Sequence, residues 1–248
     1  MIKYDFSGQV ALVTGGTRGI GAAVSSALLQ AGANVIATYA GNRAAAEEFA
    51  AAQGDLRSRL ELHCFDVSDY AAVETFFRQF DLKHDRLDIL VNSAGIRQDA
   101  VVAMLPEEQW QRVLAVNLNG AFNMAKMSVL RMMRNRYGRI ILLSSPIGRL
   151  GFAGQANYAA SKAGLEALCK SLCKEVAKRK ITVNCVSPGF IDTDFISNLP
   201  PEQSKEYQQM VPLRRFGTPA EVANAVLFLA TQEAEYISGS VLEISGGL

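Results

Sequence analysis

"VALVTGGTRGIGAAV", residues 10–24, joins a run of β-branched and apolar residues to a run of small helix-forming residues through Gly15, Gly19 and Gly21. Glycines at such a junction permit a tight turn and allow a ligand to approach the backbone closely. The helix that follows offers unpaired N–H groups and the positive end of its dipole to an anion such as a pyrophosphate. The spacing is Gly-x-x-x-Gly-x-Gly rather than the standard dinucleotide fingerprint. Its position directly after a strand is therefore what favours a nucleotide site over a ligand-free turn.

The same alternation of strand and helix patterns continues along all 248 residues. Short apolar, β-branched runs predict strands at 10–14, 34–39, 59–66, 89–92, 139–144, 181–188 and 241–244. Helical patterns lie between them at 19–30, 44–53, 71–81, 107–137, 156–179 and 219–230. Strands that alternate with helices indicate a parallel sheet covered on both faces. We therefore predict one α/β domain over 1–248, a Rossmann-type, doubly wound, seven-stranded parallel sheet flanked by helices.

Segment 190–217 departs from this regularity. It is polar, contains Pro200, Pro201 and Pro212, and shows little regular pattern after the end of a predicted strand. Long loops of this kind are often active-site lids, so we predict a substrate lid here. A plain surface excursion is the alternative.

The composition argues against several classes of protein. Lys plus Arg number 25 and Asp plus Glu 24, a balance that gives no support for a nucleic-acid or membrane-surface role. No segment reads as a signal peptide, and no run reaches the roughly 18 apolar residues needed to cross a bilayer. Cys64, Cys169, Cys173 and Cys185 lack the spacing of a disulfide framework or a metal site. We expect buried, reduced thiols, no bound metal and a cytoplasmic protein.

The end of the second predicted strand bears on the choice of cofactor. In a standard NAD site, an acidic residue at this place binds the ribose hydroxyls. Here the sequence reads IATYAGNRAAAEE, with no acid before Glu47, while Arg18 and Arg43 supply cations nearby. A cation attracts a 2′-phosphate that a carboxylate would repel, so we predict NADPH/NADP rather than NAD. The alternative for Arg43 is a solvated residue at the start of a helix.

Tyr158 and Lys162 are four residues apart in GQANYAASKAG, on one face of a predicted helix. A nearby ammonium favours the phenolate and lowers the pKa of a phenol, which suits a general acid for a carbonyl that receives a hydride. A chance surface pair is the alternative for so short a motif. The only histidines, His63 and His84, adjoin no nucleophile motif, and the sequence lacks a Gly-x-Ser-x-Gly elbow. A Ser-His-Asp hydrolase is therefore disfavoured.

Six motifs together carry a resemblance to a known family. They are TGGTRGIG at 14–21, NSAG at 92–95, Asn117 in AVNLNG, Ser145 thirteen residues before Tyr158, YAASK at 158–162 and SPGFIDTD at 187–194. In this combination the chain resembles the short-chain dehydrogenase/reductase family over essentially its whole length. Within that family it is most similar to the 3-oxoacyl-[acyl-carrier-protein] reductases, through GQANYAASKAGLEALCKSLCKEVAKRKITVNCVSPGFIDTD and the closing YISGSVLEISGGL.

The resemblance implies a role for each matching residue. Tyr158 would donate the proton, and Ser145 would orient and polarise the substrate carbonyl. Lys162 would bind the nicotinamide ribose and lower the pKa of Tyr158, and Asn117 would help to hold a water of the proton relay. The cofactor would contact Gly15, Thr17, Arg18, Gly19, Ile20, Gly21, Tyr39, Asp66, Val67, Asn92, Ala94, Gly95, Tyr158, Lys162, Pro188, Gly189, Ile191 and Thr193.

The resemblance also bears on the substrate side of the site, where Ser145 and Gln155 would contact the acyl group. An acyl carrier protein is acidic, so a basic rim near the active-site mouth would steer its docking, and Arg136 and Arg179 match the docking positions. Capping of helix C-terminal ends is the alternative for both arginines. Pro146 departs from the family pattern, and as a proline it would restrict Ser145 to extended conformations and alter the substrate range.

The implied activity is NADPH-dependent reduction of a 3-oxoacyl thioester, linked to acyl carrier protein, to the 3-hydroxyacyl thioester in fatty-acid or related polyketide or polyene biosynthesis. The alternatives are a short-chain reductase of acyl-CoA or another ketone or alcohol, and a catalytically silent dinucleotide-binding subunit. The family is usually tetrameric, so a homotetramer is expected, joined by apolar residues of helices 107–137 and 156–179. A fully intramolecular use of those residues is the competing explanation. No nucleic-acid or membrane partner is expected.

Overall fold

A computed structural model describes residues 4–197 and 199–248 of the chain. Its centre is a parallel sheet of seven strands. In chain order the strands are β1 Val10–Thr14, β2 Asn34–Tyr39, β3 Leu60–Cys64, β4 Ile89–Asn92, β5 Gly138–Leu143, β6 Ile181–Pro188 and β7 Val241–Ile244. Within the sheet they lie in the order β3-β2-β1-β4-β5-β6-β7. The order reverses between β1 and β4, and doubly wound sheets bind ligands beyond the carboxyl ends of the strands at such a reversal.

The helices cover both faces of the sheet. In the described residues the α-helices are α1 Gly19–Gln30, α2 Arg43–Ala51, α3 Tyr70–Phe80, α4 Glu107–Leu114, α5 Gly120–Asn135, α6 Ile147–Leu150, α7 Ala156–Val176, α8 Asp194–Ser197, α9 Pro201–Met210 and α10 Pro219–Ala230. Helices α1, α2 and α10 contribute to the core on one face, and α3, α5 and α7 to the core on the other. None of these helices is long and apolar enough to cross a membrane.

Each face of the sheet has its own apolar core because successive side chains of a strand point to opposite faces. Val13 of β1 belongs to one core with Leu28 of α1, and the adjacent Leu12 belongs to the other with Met124 of α5. A strand covered on both sides must therefore be apolar at nearly every position. These continuous runs are what predicted the strands, and the predicted fold class is confirmed.

Five strands begin and end where the sequence predicts, and two differ at their ends. The predicted strand 59–66 ends at Cys64, because Asp66 forms a turn in which its side chain and carbonyl accept hydrogen bonds from Ser68 and Asp69. The predicted strand 139–144 begins one residue earlier, at Gly138.

The predicted helix 107–137 is wrong in one respect, since it is not a continuous α-helix. A π-helical segment, Ala115–Asn119, separates α4 from α5. The helix also ends at Asn135, because Arg136 adopts a left-handed conformation with φ 51°. Similarly, α7 ends at Val176, and Ala177–Arg179 form a short 3₁₀ turn.

The expectation of little regular structure in segment 190–217 is also wrong, because α8 and α9 lie within it. Pro200 directly precedes α9, and Pro201 is its first residue. A proline is tolerated there because the N–H groups of the first turn have no partner within the helix. Tyr207 of α9 stacks on Phe190, with ring centroids 4.8 Å apart, and meets Phe152 edge-on at 5.8 Å. The segment is therefore packed against the carboxyl edge of the sheet. Asn198, within the predicted lid, and residues 1–3 of the predicted domain lie outside the described residues.

Candidate active site

A cleft of about 690 Å³ opens beyond the carboxyl ends of the strands, a volume in the usual range for a small-molecule site. The predicted site residues that line it are Gly15, Thr17, Arg18, Gly19, Ile20, Gly21, Tyr39, Asp66, Val67, Ala94, Gly95, Ser145, Gln155, Tyr158, Lys162, Pro188, Gly189, Ile191 and Thr193. Residues from five of the six motifs that carry the resemblance are thus brought to one place. Asn92 and Asn117 lie buried behind the lining, and Arg136 and Arg179 lie elsewhere.

The glycine turn between β1 and α1 can only be built without side chains. Gly15 has a φ of 61°, and a Cβ there would lie 3.1 Å from the Cα of Ala94. At Gly21 a Cβ would lie 2.1 Å from the carbonyl oxygen of Gly15. The side chain of Arg18 does not cap α1, and the first turn contains no acidic residue. The amino end of α1 therefore presents its N–H groups and positive dipole end to the cleft.

Thr14 holds this turn against the next strand and is a site residue that the sequence analysis missed. Its hydroxyl donates to Asn92 Oδ1 at 3.1 Å and accepts from the backbone N–H of Ala94 at 3.0 Å. Asn92 Nδ2 is buried without a hydrogen-bond partner among the described residues. The ends of β1 and β4, which flank the reversal of strand order, are thereby fixed to each other. The available signal in the sequence was Thr14 itself, a polar residue at the end of an apolar strand.

The far end of the cleft is lined by Tyr39, Gly41 and Asn42 after β2 and by Asp66 after β3. Burial alone would raise the pKa of Asp66, but hydrogen bonds from Ser68 and Arg112 outweigh it and lower that pKa below its ordinary value. Arg112 Nη2 lies 2.7 Å from Asp66 Oδ2. Asp66 is therefore a carboxylate held in place.

Arg43 does not line the cleft. It is exposed and pairs with Glu47 at 2.7 Å within α2, which corresponds to the alternative that we gave for it, a solvated residue at a helix start. Arg18 is exposed at the cleft wall and is the cation nearest to the glycine turn among those predicted.

Ser145 and Tyr158 form the chemical centre of the cleft. The side chain of Ser145 lowers the pKa of the Tyr158 phenol beside it, and Ser145 is buried between the end of β5 and α6. The hydroxyl of the neighbouring Ser144 instead donates to the carbonyl of Val186. Pro146 adopts a helical conformation, φ −55° and ψ −27°, and starts the short helix α6.

Lys162 lies beside the Tyr158 ring, and its effect on the pKa of that phenol stays a prediction. Burial raises the pKa of Tyr158 above its ordinary value, opposed by the hydrogen bond to Ser145 and by the charge of Arg97. The ammonium of Lys162 is 5.4 Å from the Tyr158 ring centroid and donates to the carbonyl of Leu143 at 2.7 Å. Burial lowers the pKa of Lys162 to about 8. In the described chain, Ser145 and Arg97 both favour the phenolate, and both therefore oppose the effect of burial on the pKa of Tyr158.

Asn117 lies in the π-helical segment Ala115–Asn119 and is fully buried. Its side chain accepts from the N–H of Ile96 at 2.8 Å and donates to the carbonyl of the same residue at 3.0 Å. It also reaches Ser161 of α7 at 3.1 Å. The amide thus clamps the loop after β4 to the catalytic helix, and π-helical turns are often found at functional sites.

A charged pair that the sequence analysis did not single out lies beside Tyr158. The guanidinium of Arg97 is 5.9 Å from the centroid of the Tyr158 ring and is ion-paired with Asp99. Gln155, predicted as a substrate contact, donates from Nε2 to Asp99 Oδ2 at 3.1 Å. The signal was present in NSAGIRQD, where an arginine and an aspartate directly follow a cofactor motif.

The two arginines predicted to dock a carrier protein do not form a rim around this cleft. Arg136 and Arg179 each lie two residues before a strand, β5 and β6 respectively, so both lie at the amino edge of the sheet. β6 has eight residues, which at about 3.3 Å per residue separates the two edges by roughly 26 Å. Within one chain, the expectation of a basic rim at the mouth is therefore wrong for Arg136 and Arg179.

The histidines and cysteines also lie outside the cleft. His63 and His84 both contact Glu61, at 3.4 and 3.0 Å, beside β3. Cys169, Cys173 and Cys185 are buried as expected, whereas Cys64 is exposed. No cluster of three or more histidine, cysteine or acidic residues suited to a metal ion occurs among residues 4–197 and 199–248.

Comparison with known proteins places the chain in a family. A family model described as Enoyl-(Acyl carrier protein) reductase matches residues 15–248. The chain is 43% identical over 250 aligned residues to the 3-oxoacyl-[acyl-carrier-protein] reductase FabG of Aquifex aeolicus, with 100% of both chains covered. It is 42% identical over 245 residues to the reductase of the same name from Escherichia coli strain K12, with 98% of both covered.

A solved structure agrees with these relatives. A crystal structure of a protein provisionally named as a gluconate dehydrogenase from Agrobacterium tumefaciens superposes with a TM-score of 0.94 at 29% sequence identity. The alignment covers 99% of this chain and 98% of the other. Together with the glycine turn and the Ser145, Tyr158 and Lys162 constellation, these matches show that the chain belongs to the short-chain dehydrogenase/reductase family, whose members are oxidoreductases that use a nicotinamide dinucleotide.

Proposed function

We propose that the chain reduces the 3-oxo group of an acyl thioester linked to an acyl carrier protein, and that it does so with NADPH. The observation that carries the proposal is the placement of the Ser145 and Tyr158 hydroxyls together in the cleft that the glycine turn also lines. The relatives support the substrate class, because both are named as 3-oxoacyl-[acyl-carrier-protein] reductases and match at least 98% of the chain.

The cleft suits a nicotinamide dinucleotide. Gly15 and Gly21 leave room for a pyrophosphate at the amino end of α1, where a Cβ atom would fill the turn. Tyr39 and Asp66 would hold the adenine end, and Thr193 would contact the nicotinamide end. When bound, NADPH supplies the hydride.

The chain's own residues would supply the carbonyl site and the proton. An oxygen atom that accepts hydrogen bonds from Ser145 and Tyr158 is held in place and stabilised as negative charge develops on it. Because burial raises the pKa of Tyr158, the phenol stays protonated at neutral pH and can donate its proton to that oxygen. Lys162, fixed by the carbonyl of Leu143, would contact the nicotinamide ribose.

The preference for NADPH over NADH rests on charge at the end of β2. The residues there that line the cleft are Tyr39, Ala40, Gly41 and Asn42, none of them acidic. Arg18 approaches the same region from the glycine turn, and Arg43 is engaged with Glu47. A 2′-phosphate at the end of β2 would therefore meet no carboxylate from that strand end, with Arg18 as the cation on the cleft wall.

Enoyl thioester reduction is the second candidate, because the family model carries that description. Reduction of a carbon–carbon double bond adds the proton to a carbon atom, whereas reduction of a ketone adds it to an oxygen atom. The paired hydroxyls of Ser145 and Tyr158 suit a single oxygen atom that first accepts hydrogen bonds and then a proton. This geometry favours the 3-oxo substrate.

The test is NADPH oxidation with matched 3-oxoacyl and enoyl thioesters, each linked to acyl carrier protein and to coenzyme A. We expect turnover with the 3-oxoacyl substrates, and Tyr158→Phe should lower kcat about 10²–10⁴-fold while NADPH still binds. Tyr236→Phe removes a hydroxyl from a fully exposed tyrosine and serves as the control. Turnover of the enoyl substrates alone would show that the second candidate is correct.

Several finer assignments stay predictions. They are carrier docking by Arg136 and Arg179, the water-holding role of Asn117, the lid function of segment 190–217, the single domain over 1–248, the homotetramer and the cytoplasmic location. For carrier docking, the positions of Arg136 and Arg179 at the amino edge mean that one chain alone cannot present them beside its own cleft.

A further inference from the structure

We propose that Arg97 is a positioning residue of the active site, a fixed cation that stabilises the phenolate left on Tyr158 after proton transfer. The inference rests on the proposed role of Tyr158 as the proton donor. It goes beyond that role by assigning the charge that makes the phenol a competent acid to a residue outside the motifs of the family.

The guanidinium of Arg97 lies over the phenol of Tyr158, and most of its side chain is shielded from solvent. Its Cζ lies 5.9 Å from the centroid of the Tyr158 ring, within the range of a cation–π contact. The Arg97 side chain is only 23% exposed. A cation in that position interacts more favourably with an anionic ring than with a neutral one, because charge–charge attraction is added to the attraction of the ring face.

Asp99 orients the guanidinium through two of its nitrogens. Arg97 Nε donates to Asp99 Oδ1 at 3.2 Å, and Nη2 donates to Oδ2. A paired arrangement of this kind fixes the plane of the guanidinium as well as its position.

The turn that places Tyr158 also holds the charged pair. Gln155 is buried and donates to Asp99 Oδ2 at 3.1 Å. Asn157 Nδ2 donates to the carbonyl of Gln98 at 2.9 Å, and the N–H of Ala100 donates to the carbonyl of Gly154 at the same distance. The loop that carries Arg97 is thus joined to the start of α7 at three points around the catalytic phenol.

Two other charged groups of the described residues face this phenol besides Arg97. Asp99 raises the pKa of Tyr158, whereas Arg97 lowers it, and burial is the largest influence of all. Lys162 is 5.4 Å from the ring centroid, but its ammonium donates to the carbonyl of Leu143. The effect of Arg97 on the pKa of Tyr158 is larger than the opposing effect of Asp99, so the charged pair as a whole favours the phenolate.

The step that this arrangement serves is the transfer of a proton from Tyr158 to the substrate oxygen. After hydride addition to the carbonyl carbon, the substrate oxygen carries a negative charge. The O–H bond of Tyr158 breaks, a new O–H bond forms on the substrate oxygen, and the negative charge moves to the phenolate beside Arg97. Without Arg97 the phenolate would be less stable and Tyr158 a weaker acid.

The alternative is that the ion pair of Arg97 and Asp99 only pins the loop. Removing either member would then disturb the site in the same direction. An electrostatic role predicts opposite effects instead, because Arg97→Met removes a positive charge and Asp99→Asn removes a negative charge. Arg97→Lys keeps the charge while losing the two-nitrogen pairing.

The experiment is an NMR titration of the cofactor-free protein with tyrosine labelled at Cζ, where Tyr158→Phe identifies the Tyr158 resonance. We expect Arg97→Met to raise the midpoint of the Tyr158 titration, Asp99→Asn to lower it, and Arg97→Lys to stay near the wild-type midpoint. A midpoint that moves by about one pH unit corresponds to a tenfold change in the acidity of the phenol. The kcat for carbonyl reduction by Arg97→Met should fall by a comparable factor.

The titration needs no substrate, so the inference and the proposed function can fail separately. Opposite shifts in Arg97→Met and Asp99→Asn would support the inference even if 3-oxoacyl thioesters are not turned over. Unchanged midpoints, or shifts of both variants in the same direction, would overturn it while thioester reduction by the wild type stands. Should Arg97→Met fail to fold, the downward shift expected of Asp99→Asn and the retained midpoint of Arg97→Lys still decide the matter.

Discussion

Gly41 is the residue at which the cofactor preference can be changed with least disturbance. It lies after β2, lines the far end of the cleft, and has open space where a Cβ would stand. Its φ lies outside the left-handed region that only glycine adopts readily. A side chain can therefore be added here without strain. Two substitutions of similar shape at this position then differ mainly in charge.

We expect Gly41→Asp to reverse or abolish a preference for NADPH. A carboxylate at this point would repel a 2′-phosphate and accept hydrogen bonds from ribose hydroxyls, so the NADPH-to-NADH ratio of kcat/KM should fall about tenfold or more. The measurement is kcat/KM for each cofactor. Gly41→Asn, nearly the same shape without the charge, is the control. An unchanged ratio in Gly41→Asp would mean that the 2′-phosphate site is not at the end of β2.

Lys162 and Tyr158 show what residue spacing predicts and what it does not. Four residues on a helix bring two Cβ atoms close together, and the structure does place both side chains in one cleft. The spacing does not say where a long side chain ends. The ammonium of Lys162 turns to the carbonyl of Leu143, and the guanidinium beside Tyr158 comes from Arg97, which is far from it in sequence. Contacts between distant segments are set by the folded sheet, so no local pattern reveals them.

At the scale of the element, the π-helical segment Ala115–Asn119 is the feature that sequence periodicity could not predict. A π-turn and an α-turn draw on the same residues, and the hydrophobic pattern of 107–137 is helical throughout. What stabilises the segment is a tertiary contact, since Asn117 binds Ile96 and Ser161. The strands were easier to predict, because a strand that is buried on both faces is apolar at nearly every position. That signal lies within the strand's own sequence.

The amino ends of β1, β4 and β5 are joined through Asp88. This residue is fully buried, accepts from the N–H of Val10 at 2.8 Å, and accepts two hydrogen bonds from Arg86. Its backbone N–H donates to Val10, and its carbonyl accepts from Arg139. One residue therefore links the start of the three central strands, and its side chain supplies the acceptor for the N–H of Val10.

We expect Asp88→Ala to lower the free energy of unfolding by about 2–3 kcal/mol, because it leaves a buried N–H of Val10 without its acceptor. The charge of Arg86 adds less, since its half-exposed side chain can turn to water. The measurement is the urea midpoint at constant m-value. Asp85→Ala, which removes an exposed carboxylate three residues away, should change stability by less than about 0.5 kcal/mol. Equal effects of the two substitutions would contradict the role given to Asp88.

At the scale of the whole molecule, a residue's position before or after a parallel strand decides at which of the two edges of the sheet it lies. Residues that follow strands reach the cleft, which is why motifs from the ends of β1, β4, β5 and β6 meet there. Residues that precede strands lie at the opposite edge. The position of Arg136 before β5 and of Arg179 before β6 follows from the same rule, so their place could have been predicted from the topology. Both were assigned to docking from the family resemblance, and a match of sequence positions does not say at which edge of the sheet a residue lies.

The apolar residues expected to join subunits are mostly used within the chain. Met124, Met132 and Leu165 are fully buried in the core between the sheet and helices α3, α5 and α7. The outward face of α5 instead exposes Phe122, at 48%, and Leu130, at 50%. These two residues are eight apart and lie on one side of the helix. An interface on the outward face of α5 would therefore use Phe122 and Leu130 rather than the buried Met124 and Met132.

We expect the wild-type protein to sediment as a homotetramer, and Phe122→Asp combined with Leu130→Asp to sediment as a smaller species. Burying two charges in an apolar helix contact costs several kcal/mol. An interface that loses this much binding free energy should dissociate. Analytical ultracentrifugation measures the mass. Leu82→Asp is the control, because Leu82 is 87% exposed on the connection after α3, away from α5, and should leave the assembly unchanged. A monomeric wild type would contradict the tetramer, and a tetrameric double variant would place its interfaces away from the outward face of α5.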